Sequence, residues 1–242
     1  PFYLSLTKKT ITKAFKKLEI NLNTIIHTRN EYAGHVAHHA LVNFNISHNN
    51  LIVDIRGAPG EASIYTKDKL IIKKILRKLF LKKVHSIFKN DIFYSVVSPR
   101  LKTHLVEDYN VNPDKISVNS CISGEQFSYN SFKRLEIRKA LNLSENDILF
   151  VFSTGGDGLW QKTNDIIREV TNKGYKLLIL SKNIYNQKGV ISKYVNYSEV
   201  SSYLSAADIG VVFRADNIVN NVASPIKFSE YIASGLPVIA NE

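Results

Sequence analysis

The chain has 242 residues, 44% of them hydrophobic, and carries a net charge of +11 from 32 Lys/Arg against 21 Asp/Glu. That length holds one large or two modest domains with a sizeable core. The single cysteine, Cys121, excludes an internal disulfide framework and a cysteine-based metal cluster, a pattern suited to a reducing, cytoplasmic setting. No apolar run of about eighteen residues offers a spanning helix, and no secretory leader pattern opens the chain. There is no methionine, the first segment is helical without a strand before it, and the last strand has nothing after it. The expectation is an internal piece of a longer protein.

Taken in chain order, residues 3–19 have a helical pattern with Lys8, Lys9, Lys13, Lys16 and Lys17 on the wet side. A short strand follows at 24–27, a helix at 32–44 and a strand at 51–55. Residues 70–88 form a long amphipathic pattern, followed by a strand at 93–98, a helix at 101–109 and a strand at 116–119. This alternation predicts a parallel sheet with helices on both faces. Residues 120–144 are a polar and aromatic mix with no clear strand. The domain boundary is placed there, giving an N-terminal domain 1–126 and a C-terminal domain 127–242. A second alternation then runs through strand 148–153, helix 161–172, strand 176–181, helix 198–206, strand 209–213 and a closing helix and strand. The expected fold class is α/β: two Rossmann-like domains, each incomplete at its chain end, facing across a crevice at the C-terminal ends of the strands, where ligands bind in such folds.

The closing segment 220–240 reads Asn-Asn-Val-Ala-Ser-Pro-Ile-Lys-Phe-Ser-Glu-Tyr-Ile-Ala-Ser-Gly-Leu-Pro-Val-Ile-Ala. Ser224 suits an N-cap and Pro225 the first helical position, where a missing N–H costs nothing. Gly235 and Pro237 mark the stop. Free N–H groups at such a start attract an anion, and Lys227 adds charge in the first turn. Glu230 lies one turn on, along the same face as Lys227, where a carboxylate can hold a ribose diol. Together these features suggest a nucleoside diphosphate carrying a sugar.

This segment resembles the donor-site signature of the family-4 glycosyltransferases, in particular those that build capsule, O-antigen and similar surface polysaccharides. Their pattern places two glutamates eight positions apart before a small residue, Gly-x-Pro-Val. Glu230 matches the second, and the first falls on Val222. The resemblance implies a GT-B arrangement of two Rossmann-like domains, a nucleotide-diphosphate sugar as co-substrate, no cofactor and no metal. The competing reading is an ordinary, well-capped αβ unit.

Residues 150–162, Phe-Val-Phe-Ser-Thr-Gly-Gly-Asp-Gly-Leu-Trp-Gln-Lys, make a strand, a glycine-rich loop and a helix start. Gly155 and Gly156 would let backbone N–H groups approach a phosphate, or simply form a tight turn. The segment is similar to the family's Gly-loop and Trp-Lys-Gly run, with Gln161 where Lys is common and Lys162 where Gly is common. The usual loop arginine is missing, and Lys162 is the candidate substitute for its charge. Arg214 ends the strand 209–213, where a guanidinium can grip a diphosphate through two hydrogen bonds. Its alternative partner is Asp216.

In the first half, His27 ends a strand and is read as a donor-sugar contact or as a structural strand-end histidine. Arg29, where the family often carries a second histidine, is read as an acceptor-side contact to an anionic group. Residues 53–61, Val-Asp-Ile-Arg-Gly-Ala-Pro-Gly-Glu, resemble the subgroup's Asp-x-Arg-Gly loop followed by a Glu. This makes Arg56 and Glu61 acceptor-side candidates, with an Asp54–Arg56 pair ordering the loop as the structural reading. His35, His38 and His39 share metal-compatible helical spacing, but nothing nearby completes a ligand set, and no metal is expected.

Nine basic residues fall between Lys67 and Lys89 against one acid, Asp68. As structure, this is a core helix with a solvated basic face. As function, it is a patch for an anionic membrane surface. Neither a recognition helix nor an aromatic sheet face points to nucleic acid. The reading is therefore a retaining, metal-independent hexosyltransferase that uses His27, Arg56, Lys227 and Glu230 in catalysis on a glycan or lipid-linked acceptor. It would work in the cytoplasm, peripheral to the inner face of the plasma membrane. The alternatives are a nucleotide-sugar 2-epimerase of the same fold and a non-catalytic basic membrane-binding module.

Overall fold

A computed structural model describes residues 2–61, 71–155 and 161–241, with side chains from residue 7 onward. The chain divides into two compact units, Pro1–Ser120 with Asn221–Ser224, and Cys121–Asn220 with Pro225–Glu242. The sequence reading puts its boundary between residues 126 and 127. It assigns no part of the 220s to the first unit.

The first unit holds α1 (Phe2–Lys17), β1 (Ile26–Arg29), α2 (Asn30–Asn43), β2 (Leu51–Ile55), α3 (Ile71–Val84), β3 (Phe93–Val96), α4 (Pro99–Tyr109) and β4 (Ile116–Val118). Its sheet is wholly parallel in the order β1-β2-β3-β4. Leu51, Val53 and Ile55 of β2 are buried, as an interior strand covered on its faces requires. Gly34 lets α2 settle on β2: a Cβ there would stand 2.7 and 2.8 Å from the two methyls of Val53. Ser98 caps α4, its Oγ accepting from the Leu101 amide at 3.0 Å, and Pro99 takes the first turn. The same hydroxyl donates to the carbonyl of Val222 at 2.6 Å, which ties residues 221–224 to this unit.

The second unit contains α5 (Ser131–Ala140), β5 (Leu149–Ser153), α6 (Thr163–Thr171), β6 (Lys176–Leu180), β7 (Val190–Lys193), α7 (Val200–Ala206), β8 (Ile209–Val212), α8 (Ile218–Asn221), α9 (Ile226–Ala233) and β9 (Val238–Ala240). The sheet is again parallel, in the order β7-β6-β5-β8-β9. Successive β5 residues alternate between two cores. Leu149 and Val151 pack with Leu178, Leu204 and Tyr231, while Phe150 and Phe152 pack with Ile166, Ile167 and Ile179.

Several elements differ from the sequence pattern: β1 runs over Ile26–Arg29 rather than 24–27, and the four-residue α8 is not among the expected elements. The 70–88 helix stops at Val84 and tightens into a 3-10 turn over His85–Lys89. Within α3, Ile71, Ile72, Ile75, Leu76 and Leu79 are exposed, so most of its apolar stripe is uncovered. Helix α5 lies within residues 120–144, where the sequence pattern names no element. It is held by tertiary bonds: the buried Arg138 donates to the carbonyls of Ala206, Ser144 and Asp147 at 2.9, 2.6 and 2.6 Å, and Arg134 reaches Asp208 at 2.7 Å. Strand β7, four residues after Gly189, is too short for its periodicity to stand out.

Candidate functional site

Two clusters carry the candidate residues, one in each unit. In the second unit, the carboxyl ends of β5 and β8 are drawn together with α9. Tyr231 is fully buried, and its hydroxyl accepts from the Ser153 amide at 2.7 Å, joining α9 to the end of β5. Gly210 on β8 accommodates the same ring, since a Cβ there would lie 2.5 and 2.7 Å from Tyr231 Cδ2 and Cγ. Past β5, the Thr154 hydroxyl bonds the Gln161 side chain, and Gln161 bridges Arg214 through an isolated antiparallel backbone pair. Lys162 therefore comes next to the β8 end, its ammonium 5.3 Å from the Phe213 ring centre. Arg214 is clamped by Asn241, whose side chain accepts from its N–H at 2.8 Å and donates to its carbonyl at 2.9 Å. An added Cβ at Gly155 would meet nothing within 4 Å, so no packing contact requires glycine there. Gly156 lies outside the described residues.

Helix α9 begins one residue later than the sequence suggests. Pro225, not Ser224, occupies the cap position, and no side chain caps the helix. The amide of Phe228 is taken by the Pro225 carbonyl at 3.0 Å. In its first turn, Lys227 Nζ donates to Glu230 Oε2 at 2.8 Å. The carboxylate side is 1% exposed and the lysine 28%, so a buried acid steers a half-buried cation. Tyr197 also bonds Glu230, and burial followed by that carboxylate pushes its phenol up. Tyr231 falls inside the matched Ser-Pro-x-Lys-x-x-Glu-Tyr segment but is given no role by the sequence, and Tyr197 lies in no motif.

The first unit gathers the three acceptor-side candidates, Arg29, Arg56 and Glu61, around one cavity of about 660 Å³. Arg29 ends β1, Arg56 follows β2, and Glu61 closes the loop that Gly57 opens. Glu31, Arg77, Tyr32, Phe80 and Leu81 complete much of the wall. Arg56 Nε donates to the buried Asp54 at 2.6 Å, the loop-ordering pair considered from sequence. Glu31 Oε1 accepts from the Gly60 amide at 2.9 Å and stands 4.0 Å from His85 Nε2. Gly60 has φ +74, the left-handed conformation that favours glycine. Burial, then the charge of Glu31, raises the Glu61 carboxyl above its ordinary value. Sequence reading passed over Glu31, whose signal is its place two residues beyond Arg29 at a strand-to-helix junction.

His27 is exposed on β1, the outermost strand of its sheet, and does not line this cavity. His38 Nε2 lies 3.1 Å from His48 Nδ1. His35 Nε2 is buried without a hydrogen-bond partner. Burial foremost, with nearby Lys8, lowers the His35 ring to about 4, and burial with His48 lowers the His38 ring to about 4. Among the described residues, no three His, Cys, Asp or Glu side chains gather as a metal site, and no helix is long and apolar enough to cross a membrane.

The sequence matches no family model and no curated protein. Solved structures do match. HepE from Anabaena, determined in complex with UDP-glucose, superposes with TM-score 0.70 at 9% identity over 96% of this chain and 62% of its own. Sucrose-phosphate synthase from Thermosynechococcus elongatus gives 0.65 at 16% identity over 95% and 59%. Trehalose 6-phosphate synthase from Burkholderia multivorans gives 0.63 at 11% identity over 98% and 60%. At these identities the likeness defines the fold: two Rossmann-like α/β units of the GT-B glycosyltransferase plan. The chain spans about three fifths of the length of the structures it matches.

Proposed function

We propose that this chain belongs to a retaining, metal-independent glycosyltransferase of family 4, acting in surface polysaccharide synthesis. The observation that carries the reading is the Lys227–Glu230 pair in the first turn of α9, a helix bonded to the end of β5. Cleaving the sugar C1–O bond places charge on a departing diphosphate. The first-turn amides of α9, Lys227, Lys162, Arg214 and the backbone at Ser224, Gly155 and Gly156 supply donors for that charge without a divalent ion. Glu230 orients Lys227 and takes the ribose hydroxyls when the lysine turns to phosphate. His27 contacts the donor sugar, and Arg29, Arg56 and Glu61 serve the glycan or lipid-linked acceptor. Front-face attack by that acceptor retains configuration with no enzyme nucleophile.

The test is thermal shift and calorimetry with UDP, GDP and ADP conjugates, since a ligand that binds only the folded state raises the melting temperature. At a hundredfold excess over Kd the stabilisation is about 2.7 kcal/mol. No shift with any nucleotide would overturn the assignment. Release of an epimerised sugar instead of glycoside plus nucleoside diphosphate would move it to the 2-epimerase reading.

The proposal extends to the cytoplasmic membrane surface. Helix α3 carries Lys73, Lys74, Arg77, Lys78, Lys82 and Lys83 beside exposed Ile71, Ile72, Ile75, Leu76 and Leu79. This composition suits the headgroup region of an anionic leaflet. Of the rest of the basic run, Lys89 lies in the following 3-10 turn, and Lys67 and Lys69 lie outside the described residues. Binding to vesicles rich in phosphatidylserine is expected, with none to neutral vesicles. Each Lys→Gln change on α3 should lower partitioning roughly fivefold, about 1 kcal/mol per cation. Equal binding to neutral vesicles would remove this part of the proposal.

A further inference from the structure

The charges lining the cavity of the first unit are not equally available. Asp54 is committed to Arg56 at 2.6 Å. Glu31 is committed to the Gly60 amide at 2.9 Å, with the half-buried His85 ring beyond it. Glu61 folds its carboxylate against Gly57, where any Cβ would collide with it. Arg29 differs from these: it is exposed and meets no carboxylate among the described residues. It stands at the carboxyl end of β1, in register with Asp54 on β2. The lining also carries apolar side chains, with Tyr32 and Phe80 stacked at 5.8 Å between ring centres, and Leu81. A volume near 660 Å³ falls within the range of small-molecule sites, roughly 300–1,000 Å³.

A free guanidinium, a carboxyl group and an aromatic wall in one cavity match a sugar ring that bears a negative group. The ring's C–H face packs on the aromatic wall. Its hydroxyls bond the carboxyl group, and its anion pairs with the guanidinium in the two-pronged geometry specific to arginine. We propose that this cavity binds a saccharide with an anionic substituent, a uronate or a sugar phosphate. Arg29 is its anion partner and Glu61 its hydroxyl partner. The proposal deepens the acceptor-side reading above and rests on it.

Calorimetry on the whole chain, at about 0.15 M salt to screen long-range attraction to a basic protein, would compare glucuronate, glucose 6-phosphate, neutral methyl glucoside and inorganic phosphate. At least one charged sugar should bind ten times or more tightly than methyl glucoside and than phosphate alone, and the stronger of the two identifies the anion. Arg29→Gln should erase that tenfold preference and leave the melting temperature in place, because the side chain is exposed. Glu61→Gln should weaken charged and neutral sugars alike. Equal binding of neutral and charged sugars, phosphate binding as well as sugar phosphate, or an Arg29→Gln variant that keeps the preference would each overturn the assignment. UDP, titrated into the same samples, separates the two readings. Nucleotide binding without a charged-sugar preference sinks this inference alone, and a charged-sugar preference without nucleotide binding sinks the donor assignment alone.

Discussion

Lys227→Ala is expected to weaken binding of a nucleoside diphosphate by ten- to a hundredfold and to reduce turnover at least as much. A charge-assisted hydrogen bond to phosphate contributes about 1.5–3 kcal/mol, and a charge that develops on the leaving diphosphate makes the contact worth more in the transition state. The same substitution has a second effect. Glu230 is 1% exposed and has Lys227 as its ion-pair partner at 2.8 Å. Removing the lysine leaves a buried carboxylate without its cation, and breaking such a pair costs about 3 kcal/mol of stability. The double variant Lys227→Met, Glu230→Gln removes both charges and separates the two effects. It should recover most of the melting temperature while nucleotide affinity stays low. If affinity returned along with stability, Lys227 would be a structural residue and its phosphate role would be lost.

Gly210→Val is expected to be the most damaging single change in the second unit. The position is on β8, and a Cβ alone would already sit 2.5 Å from the Tyr231 ring, which is rigid and completely enclosed. Overpacking of this kind costs about 3 kcal/mol or more. The damage would spread, because the displaced Tyr231 hydroxyl also accepts from the Ser153 amide at the end of β5. Tyr231→Phe isolates that bond. It leaves the ring in place and costs about 1–3 kcal/mol for an unpaired buried N–H. Urea unfolding midpoints should rank wild type above Tyr231→Phe and Tyr231→Phe above Gly210→Val. A valine variant as stable as the wild type would mean that the contact between β8 and α9 is looser than described.

The central strands were legible as short apolar runs and most helices as apolar residues recurring at the helical period. Strand β2 coincides with its predicted range, and β5 and β6 differ by one residue at an end. The start of α9 moved by one residue against the capping preference for Ser224, because helix ends are set only to within a residue or two by local sequence. Helix α5 escaped notice because its stability comes from Arg134 and Arg138 reaching carbonyls and a carboxylate more than sixty positions away.

The sequence alone determined the α/β class, since periodicity is a local property, and it singled out the α9 segment as a donor-side candidate and, by family resemblance, Arg29, Arg56 and Glu61 as acceptor-side candidates. Tertiary structure decided that Arg29, Arg56 and Glu61 share one cavity with Glu31, that Glu230 is buried and holds Lys227, and that the α3 apolar stripe is exposed. Burial and ion pairing arise from groups far apart in the chain, and no pattern within a window of residues encodes which distant partner will arrive.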